Sequence, residues 1–489
     1  MTLAEPGQQD NIFGLGVTAA NFILYLLKHM KYYVPLFASL LVIGASIFLF
    51  TSCEPDHDLD TVSNVHPLPP EWAVNANIYE VNIRQYTPEG TFNAFARDIP
   101  RLEEMGVKIL WLMPIHPIGE KNRKGTLGSY YSVKDYTGIN PEFGSKDDFR
   151  ELVLKAQQHG MRVIIDWVAN HTAWDAVWTE TNPEFYETDE DGNFFPPIED
   201  WDDVIQLDVE NPEMQEAMIE AMEYWVREYG VDGFRADVAY MVPTEFWNQA
   251  RERLDAIKPV FMLAEAEEPE LHDYAFDMTY AWDYAQTIRD IGAGRASLDA
   301  LDEALELNFE RFNKRDYRMF FTTNHDENSW EGSDTDLYGE NFKNFAVLSA
   351  TVWGMPLIYN GQESGLDKQL EFFEKDEIEW GEYKYQDFFT TLLSLNTENQ
   401  ALFNGELGGD FRKLDTDRDD SIFSYKRIGH HEQVLVILNF SDDEITFTFD
   451  DGDRGDWKNV LDETYYPVDA EYTIDGNSFS LYERIYMSH

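Results

Sequence analysis

Between residues 72 and 400, short apolar segments alternate with longer amphipathic ones. Apolar strands that alternate with amphipathic helices are typical of a parallel α/β sheet. Eight repeats of this unit predict an α/β fold, a (β/α)8 TIM barrel that forms the catalytic domain. The predicted strands are Ile78 to Tyr86, Ile109 to Pro114, Val163 to Asp166, Gly233 to Val238, Val260 to Glu265, Phe276 to Trp282, Met319 to Asn324 and Pro356 to Tyr359.

Two stretches depart from this alternation. Residues 172–206 are rich in Trp, Asp, Glu and Pro and have no clean period, so we predict a small inserted subdomain after the third strand, over the barrel mouth. Residues 401–489 alternate with period two, which predicts a C-terminal antiparallel β-sandwich. Its clearest strands are Ile422 to Ile428, Val434 to Phe440, Ile445 to Phe449 and Ser480 to Met487.

The N-terminal residues do not belong to either domain. Lys31 precedes an apolar run from Pro35 to Phe50, and small residues then lead to Cys53. This order predicts a secretory signal over residues 30–52, and it resembles a bacterial lipoprotein signal, in which the cysteine is lipidated. A permanent transmembrane anchor is the alternative. Residues 1–29 are an extension of uncertain status, and residues 53–71 form a linker; we expect export and attachment to a bacterial membrane, at the outer membrane or cell surface.

The charge of the chain limits its partners. There are 92 Asp and Glu against 37 Lys and Arg, a formal net charge of -55. A surface this negative repels phosphate backbones, which argues against a nucleic-acid partner. A neutral polysaccharide is unaffected by that field, and the aromatic content of 15% offers ring faces on which sugars can stack.

Polar residues follow several of the predicted strands, and in a TIM barrel the active site lies at these carboxyl ends. Within Gly233 to Val238, Arg235 and Asp237 are two residues apart and emerge on one face of a strand. A guanidinium beside a carboxylate favours its ionised form, which a nucleophile requires. The other polar residues at strand ends are Asn170, His171, Glu265, His325 and Asp326.

Four short motifs occur in order on the third, fourth, fifth and seventh predicted strands. They are Asp166 to His171, Gly233 to Asp237, Ala264-Glu265 and Asn324-His325-Asp326. Together they resemble the motifs of the α-amylase superfamily of retaining glycoside hydrolases, and the resemblance extends from about Trp72 to the C-terminus.

The resemblance implies roles for seven residues. Asp237 would be the nucleophile, Glu265 the general acid/base, and Asp326 a carboxylate that binds hydroxyls of the distorted sugar. His171 and His325 would donate hydrogen bonds to the same sugar, Tyr131 would stack beneath it, and Arg235 would hold Asp237 ionised. Crowding of these three carboxylates raises the pKa of the one that is least compensated, which stays protonated to act as the acid, whereas Arg235 compensates Asp237 best.

Departures from the family pattern leave the specificity open. Tyr240 and Met241 stand where relatives carry a Lys-His pair that contacts the leaving-group side and helps to hold calcium. The chemistry requires no cofactor, but Asn170 matches a calcium-ligand position, so a structural calcium ion remains an open alternative. We expect hydrolysis of α-glucosidic bonds in starch or maltodextrins. The alternatives are an exo-α-glucosidase, a cyclomaltodextrinase, a transglycosylase, or a glycan-binding module without catalysis.

Overall fold

The computed structural model describes residues 68–449 and 454–486. The N-terminal extension, the signal segment with Cys53 and most of the linker lie outside these residues. Eighteen strands are present in the described ranges: β1 Ile78–Val81, β2 Ile109–Leu112, β3 Arg162–Trp167, β4 His171–Ala173, β5 Val204–Gln206, β6 Gly233–Ala236, β7 Phe261–Ala264, β8 Met278–Tyr280, β9 Tyr317–Phe320, β10 Met355–Tyr359, β11 Asp410–Lys413, β12 Ile422–Ile428, β13 Glu432–Asn439, β14 Ile445–Thr448, β15 Gly455–Asn459, β16 Tyr465–Val468, β17 Glu471–Ile474 and β18 Ser478–Ile485.

The α-helices in the same ranges lie mainly between the strands. They are α1 Ile83–Tyr86, α2 Phe92–Phe95, α3 Ile99–Met105, α4 Lys146–Gln158, α5 Val177–Thr181, α6 Pro212–Tyr224, α7 Thr244–Asp255, α8 Trp282–Gly292, α9 Asp299–Arg311, α10 Asp334–Tyr338, α11 Phe342–Thr351 and α12 Gln386–Glu398. None of the helices in the described part of the chain combines the length and apolarity needed to cross a bilayer.

The predicted (β/α)8 barrel is confirmed. Eight parallel strands close in the order β1-β2-β3-β6-β7-β8-β9-β10, with β10 pairing back to β1. Side chains alternate along each strand, so Ile78, Ile109 and Ile164 fill the barrel interior while their neighbours pack against the helices. Strand β6 begins at Gly233, where a Cβ atom would lie 1.9 Å from the carbonyl oxygen of Phe261. Only glycine allows β6 and β7 to approach this closely.

The first strand is shorter than predicted. The sequence predicts a strand from Ile78 to Tyr86, but β1 ends at Val81 and α1 begins at Ile83. The side chain of Asn82 accepts a hydrogen bond from the backbone N–H of Gln85 at 3.3 Å, which caps α1. The apolar period of Ile78 to Tyr86 is thus shared between a strand and a helical turn.

The insertion after the third barrel strand is built on a two-stranded antiparallel sheet. β4 pairs with β5, with His171 opposite Gln206. Lys124, in the loop after β2, reaches this insertion and forms ion pairs with Asp202 at 3.0 Å and Asp203 at 3.4 Å. The loop after β2 and the insertion therefore close over one side of the barrel mouth.

The C-terminal residues form two antiparallel sheets, as the period-two pattern predicts. One has the order β11-β12-β13-β18-β15-β16 and the other pairs β14 with β17. Arg427 of β12 donates to the carbonyl oxygens of Thr351 and Val352, each at 3.1 Å. These bonds attach the sheet to the end of α11, on the outside of the barrel.

Candidate active site

A single buried guanidinium organises the carboxylates at the mouth of the barrel. Arg235 donates from Nη1 to Asp166 Oδ1 at 3.0 Å and to Asp237 Oδ1 at 2.8 Å. Its Nη2 lies 3.0 Å from Glu265 Oε2. The side chain of Arg235 is fully buried, so these charge-assisted contacts are shielded from water.

Asp237 and Glu265 stand at the same height because each directly follows a barrel strand. The backbone N–H of Asp237 donates to Trp167 at 2.9 Å, and that of Glu265 donates to Ala236 at 3.0 Å. These bonds continue the parallel ladders β3–β6 and β6–β7 by one residue. Both carboxyl groups therefore face the same space above the strands.

Val238 has an unusual backbone that positions Glu265. Its φ is 38°, in the left-handed region that β-branched residues rarely adopt. In this conformation its N–H donates to Glu265 Oε2 at 2.7 Å. Since Oε2 already contacts Arg235 and Val238, Oε1 is the oxygen that carries a proton when Glu265 is protonated. Strain of this kind is concentrated at functional sites.

Burial raises the pKa values of both carboxyl groups. Burial raises the pKa of Glu265 to about 7 against the opposing effect of Arg235, and the charges of Asp237 and Asp326 raise it further. Burial likewise raises the pKa of Asp237, to about 6, against the opposing effect of Arg235. Arg235 contacts both groups, so it does not compensate Asp237 alone as the sequence predicts; the pKa values of both carboxyl groups rise, and Glu265 remains the weaker acid.

His325 is enclosed by acidic and aromatic groups. Its Nδ1 lies 2.6 Å from Glu80 Oε1, and its Nε2 lies 2.7 Å from the Tyr131 hydroxyl and 3.3 Å from Asp326 Oδ2. The Tyr131 hydroxyl donates to Asp166 at 3.0 Å, and its ring is stacked on that of His325 with centroids 5.4 Å apart.

His171 is kept neutral by burial. Burial lowers the pKa of His171 to about 3, so the ring is neutral. Asn170 Nδ2 donates to His171 Nδ1 at 3.4 Å, which leaves the proton on Nε2. His171 is therefore a neutral hydrogen-bond donor beside a cavity, next to the ring of Trp201.

Six of the predicted site residues line one cavity of about 360 Å³. They are Tyr131, His171, Asp237, Glu265, His325 and Asp326. Arg235 lies beneath the cavity, Asn170 lies behind His171, and Cys53 is outside the described residues. A second cavity of about 420 Å³ lies between α5 and α6 and contains none of these residues.

Sequence reasoning did not identify several residues of the cavity. An aromatic group formed by Trp330, Phe372 and Phe373 lines one wall, with Trp330 55% exposed. Trp201 from the insertion lines another part. Trp201, Phe372 and Phe373 lie in loops, and Trp330 lies in the short helical turn Glu327–Glu331, so none of them belongs to a periodic pattern. Glu80 could have been noticed, because it is a carboxylate within an otherwise apolar strand.

The surroundings of Asn170 do not fit a calcium ion. Gln206 Nε2 donates to the backbone oxygen and to Oδ1 of Asn170, each at 3.2 Å, and to the backbone oxygen of Leu207 at 2.8 Å. Calcium binds carbonyl and amide oxygens of this kind, but an amide donor already occupies these three. Within residues 68–449 and 454–486, no cluster of three or more histidine, cysteine or carboxylate side chains is arranged to hold a metal ion.

Comparison with known proteins gives consistent matches. The sequence profile described as "Alpha amylase, catalytic domain" matches residues 73–202 and 200–391. A noncanonic maltogenic alpha-amylase from Thermotoga neapolitana has a similar structure, with a TM-score of 0.78 and 31% identity, over 85% of this chain and 100% of that chain. An alpha-amylase from Lactobacillus plantarum gives a TM-score of 0.77 and 30% identity over 85% and 100%.

Two sequence relatives are named for different activities. Alpha-amylase 2 of Dictyoglomus thermophilum is 25% identical over 445 residues, which is 81% of this chain and 74% of that protein. A cyclomaltodextrinase from a Bacillus species is also 25% identical, over 438 residues, or 76% and 74%. Sequence similarity thus does not separate these two activities for this chain.

Proposed function

The chain belongs to the alpha-amylase catalytic-domain family and is a glycoside hydrolase, and from this premise we propose that it cleaves α-glucosidic bonds in starch, maltodextrins or related α-glucans with retention of anomeric configuration. The observation that carries the proposal is the fork of Arg235, which contacts Asp237 at 2.8 Å and Glu265 at 3.0 Å. Two carboxyl groups on one guanidinium are close together, and retaining glycosidases need a separation of about 5 Å.

The first step uses both carboxyl groups. Glu265 donates its proton to the glycosidic oxygen as the C1–O bond breaks, and the leaving sugar departs as an alcohol. The Asp237 carboxylate attacks C1 from the opposite face and forms a glycosyl ester. Arg235, which compensates Asp237 while it is charged, then retains Asp166 as its partner.

The second step restores the enzyme. Glu265, now ionised, takes a proton from water, and the resulting oxygen attacks C1 while the bond to Asp237 breaks. Two inversions at C1 leave the product in the α configuration. The raised pKa of Glu265 suits a group that must both give and take a proton near neutral pH.

The remaining cavity residues bind the sugar being cleaved. Asp326, with its side chain 35% exposed, accepts hydrogen bonds from hydroxyls. His171 and His325 donate to hydroxyls, and Tyr131 offers its ring face to the sugar. None of these steps involves a cofactor, and the hydrogen bonds of Gln206 to the oxygens around Asn170 support a fold that does not depend on calcium there.

The proposal also includes attachment to a bacterial membrane. The order of Lys31, the apolar run Pro35 to Phe50 and Cys53 supports lipidation at Cys53 after export. We expect Cys53→Ser to move the protein from the membrane fraction to the soluble exported fraction, measured by fractionation and immunoblot. Retention in the membrane would favour the uncleaved anchor.

The test of the activity is the anomeric form and size of the products. Proton NMR of a maltoheptaose digest should show α-anomers first, and the β-anomer should appear only by mutarotation. Initial formation of β-anomers would contradict retention. A second candidate, cyclomaltodextrinase activity, is favoured by the relative of that name, and faster cleavage of cyclodextrin than of amylose would support it. Dominant release of glucose would indicate an exo-α-glucosidase, and longer products a transglycosylase.

A further inference from the structure

Glu80 is a fully buried carboxylate that no catalytic step described above uses. It is the third residue of β1, and its partners in the sheet are Trp111 on β2 and Tyr359 on β10. Side chains alternate along β1, so Glu80 shares the inward face with Ile78 and lies one layer closer to the active site. A charge in this position carries a large desolvation cost unless it is paired.

The partner of Glu80 is His325. Glu80 Oε1 lies 2.6 Å from His325 Nδ1, and Glu80 Oε2 accepts the backbone N–H of the same residue at 3.3 Å. Both oxygens therefore hold one histidine, and they fix the orientation of its ring. The histidine is 2% exposed and the glutamate 0%, so water does not screen the pair.

Three further charged groups face the same histidine. Asp326 lies beside it in sequence, with Oδ2 3.3 Å from Nε2. Asp166 of β3 reaches it through Tyr131, and Arg235 of β6 opposes a second positive charge. Burial disfavours the charged ring, but Asp326 and Glu80 outweigh burial and raise the pKa of His325 to about 9.

When both nitrogens of the His325 ring carry a proton, every hydrogen bond around the ring has one donor and one acceptor. Nδ1–H then donates to Glu80, Nε2–H donates to the Tyr131 hydroxyl, and that hydroxyl donates to Asp166. With one proton fewer, Nε2 would be an acceptor, and the hydroxyl would have to turn from Asp166 to serve it. Nε2 would then have no proton to offer a sugar hydroxyl.

We propose that Glu80 is a positioning residue that keeps His325 as an imidazolium, so that its Nε2–H, which donates to the Tyr131 hydroxyl, can be shared with a sugar hydroxyl in the cavity that both residues line. Glu80 itself does not touch the sugar; it acts through His325. This inference rests on the proposed function for its effect on catalysis, but the charge state of the ring can be measured without any substrate.

The direct test is the titration of the His325 ring in the unmodified enzyme. The protein is prepared with ¹³C-labelled histidine, and the His325 signal is assigned by its loss in His325→Gln. We expect the signal to remain that of an imidazolium at pH 7.5. A ring that is neutral at that pH would overturn the proposal, whatever activity the enzyme has.

The matched pair of variants is Glu80→Gln and Glu363→Gln. Glu363 is also fully buried and ion-paired, to Arg101 at 3.0 Å, and it accepts the hydroxyl of Tyr79, the neighbour of Glu80. It does not line the cavity. In Glu80→Gln we expect the midpoint of the His325 titration to fall by about 1–3 pH units, and in Glu363→Gln we expect it to remain unchanged.

Kinetics distinguishes positioning from general destabilisation. In Glu80→Gln, kcat at pH 7.5 should fall by about tenfold or more with a smaller change in KM, and the alkaline limb of kcat should become steeper because a second group now titrates there. Equal losses in both variants, or an unshifted His325 titration in Glu80→Gln, would overturn the role of Glu80. If the unmodified enzyme hydrolyses no α-glucan, the proposed function fails, while the ring titration still tests the pair.

Discussion

At the residue scale, the unequal pKa values of Asp237 and Glu265 determine the pH dependence of catalysis. Asp237 must be ionised, so kcat/KM should rise as the pH passes about 6. Glu265 must be protonated, so kcat/KM should fall as the pH passes about 7. Because the two groups interact, the two limbs belong to the pair. We therefore expect a narrow bell-shaped pH profile of kcat/KM for maltoheptaose, with its maximum between pH 6 and pH 7.

The variant Glu265→Gln tests which residue causes the alkaline limb. A substrate with an acidic leaving group, such as α-maltosyl fluoride, needs no proton from the enzyme for the first step. We expect Glu265→Gln to retain cleavage of this substrate far better than cleavage of maltoheptaose and to lose the alkaline limb. An alkaline limb at the same pH in the variant would assign it to a different group.

Asp237→Asn should separate activity from stability. We expect kcat to fall by about 10⁴-fold. The pKa of Asp237 is higher in the folded protein than its ordinary value, so the folded state binds more protons than the unfolded state between about 4 and 6. Stability is lost as pH rises through this window. The asparagine variant should therefore have the higher thermal midpoint at pH 8, measured by calorimetry.

Asp232→Asn is the matched control for that stability effect. Asp232 is also buried, but it accepts the backbone N–H of Val163 at 2.9 Å and the ammonium of Lys258 at 3.0 Å. These partners stabilise its charge, so its amide variant should have a lower thermal midpoint. A lower midpoint for Asp237→Asn as well would show that Asp237 is compensated in the way that Asp232 is.

At the scale of elements, the contact between β5 and the end of β3 determines whether the enzyme needs calcium. Gln206 of β5 donates one amide group to three oxygens of Asn170 and Leu207. We expect the thermal midpoint of the unmodified protein to be the same in EDTA as in calcium chloride. Gln206→Glu removes the donors, leaves buried acceptors at a cost of about 1–3 kcal/mol each, and adds a carboxylate, so its midpoint should fall and should recover with calcium.

Gln215→Glu controls for the added charge. Gln215 lies on α6, and its Nε2 donates to the backbone oxygen of Val209 at 2.7 Å. This variant should show no calcium dependence. A lower midpoint of the unmodified protein in EDTA would mean that a metal ion stabilises the fold elsewhere, and calcium-independent loss in Gln206→Glu would show that the oxygens cannot form a cation site.

The ends of most barrel strands could be predicted from the sequence, but contacts that depend on closure of the barrel could not. Barrel strands followed by polar residues were identifiable because apolar runs and strand ends coincide, as at Asp237 and Glu265. The end of β1 was not, because the Asn82 cap interrupts an apolar period that continues into α1. Glu80 was not identified as a site residue, because its role depends on closure of the barrel between β1 and β10, which brings it to His325. Closure of the barrel brings together Glu80 and His325, which are 245 positions apart in the sequence.

The C-terminal sheets show a second limit. β12 and β13 were predictable from alternating apolar residues, whereas β11 and β16 were not. The side chains of β11 are exposed or half-buried, and three of the four in β16 are exposed, so neither strand has the period-two pattern of a half-buried strand. Edge strands of this kind are recognised only by their backbone pairing, which the residue pattern does not report.

At the scale of the whole molecule, the net charge of -55 is the dominant electrostatic feature. The buried ion pairs, such as those of Arg235 and Arg251, are local and use few of the acidic residues. Most of the remaining negative charge repels itself in the compact state, which destabilises folding at low ionic strength. The substrate that we propose is neutral, so its capture does not depend on this field.

Stability and substrate binding should therefore respond differently to salt. Raising sodium chloride from about 0.01 M to about 1 M shortens the screening length from about 30 Å to about 3 Å, so the thermal midpoint should rise by about 5 °C or more. KM for maltoheptaose should change less than about twofold, because a neutral sugar is not steered by charge. Sucrose at matched osmolality does not screen charge and should raise the midpoint less. A thermal midpoint that does not respond to salt would show that the acidic side chains lie too far apart to repel one another. A KM that falls steeply with salt would mean that the negative field excludes the substrate from the cavity, where Asp326 and Glu265 lie.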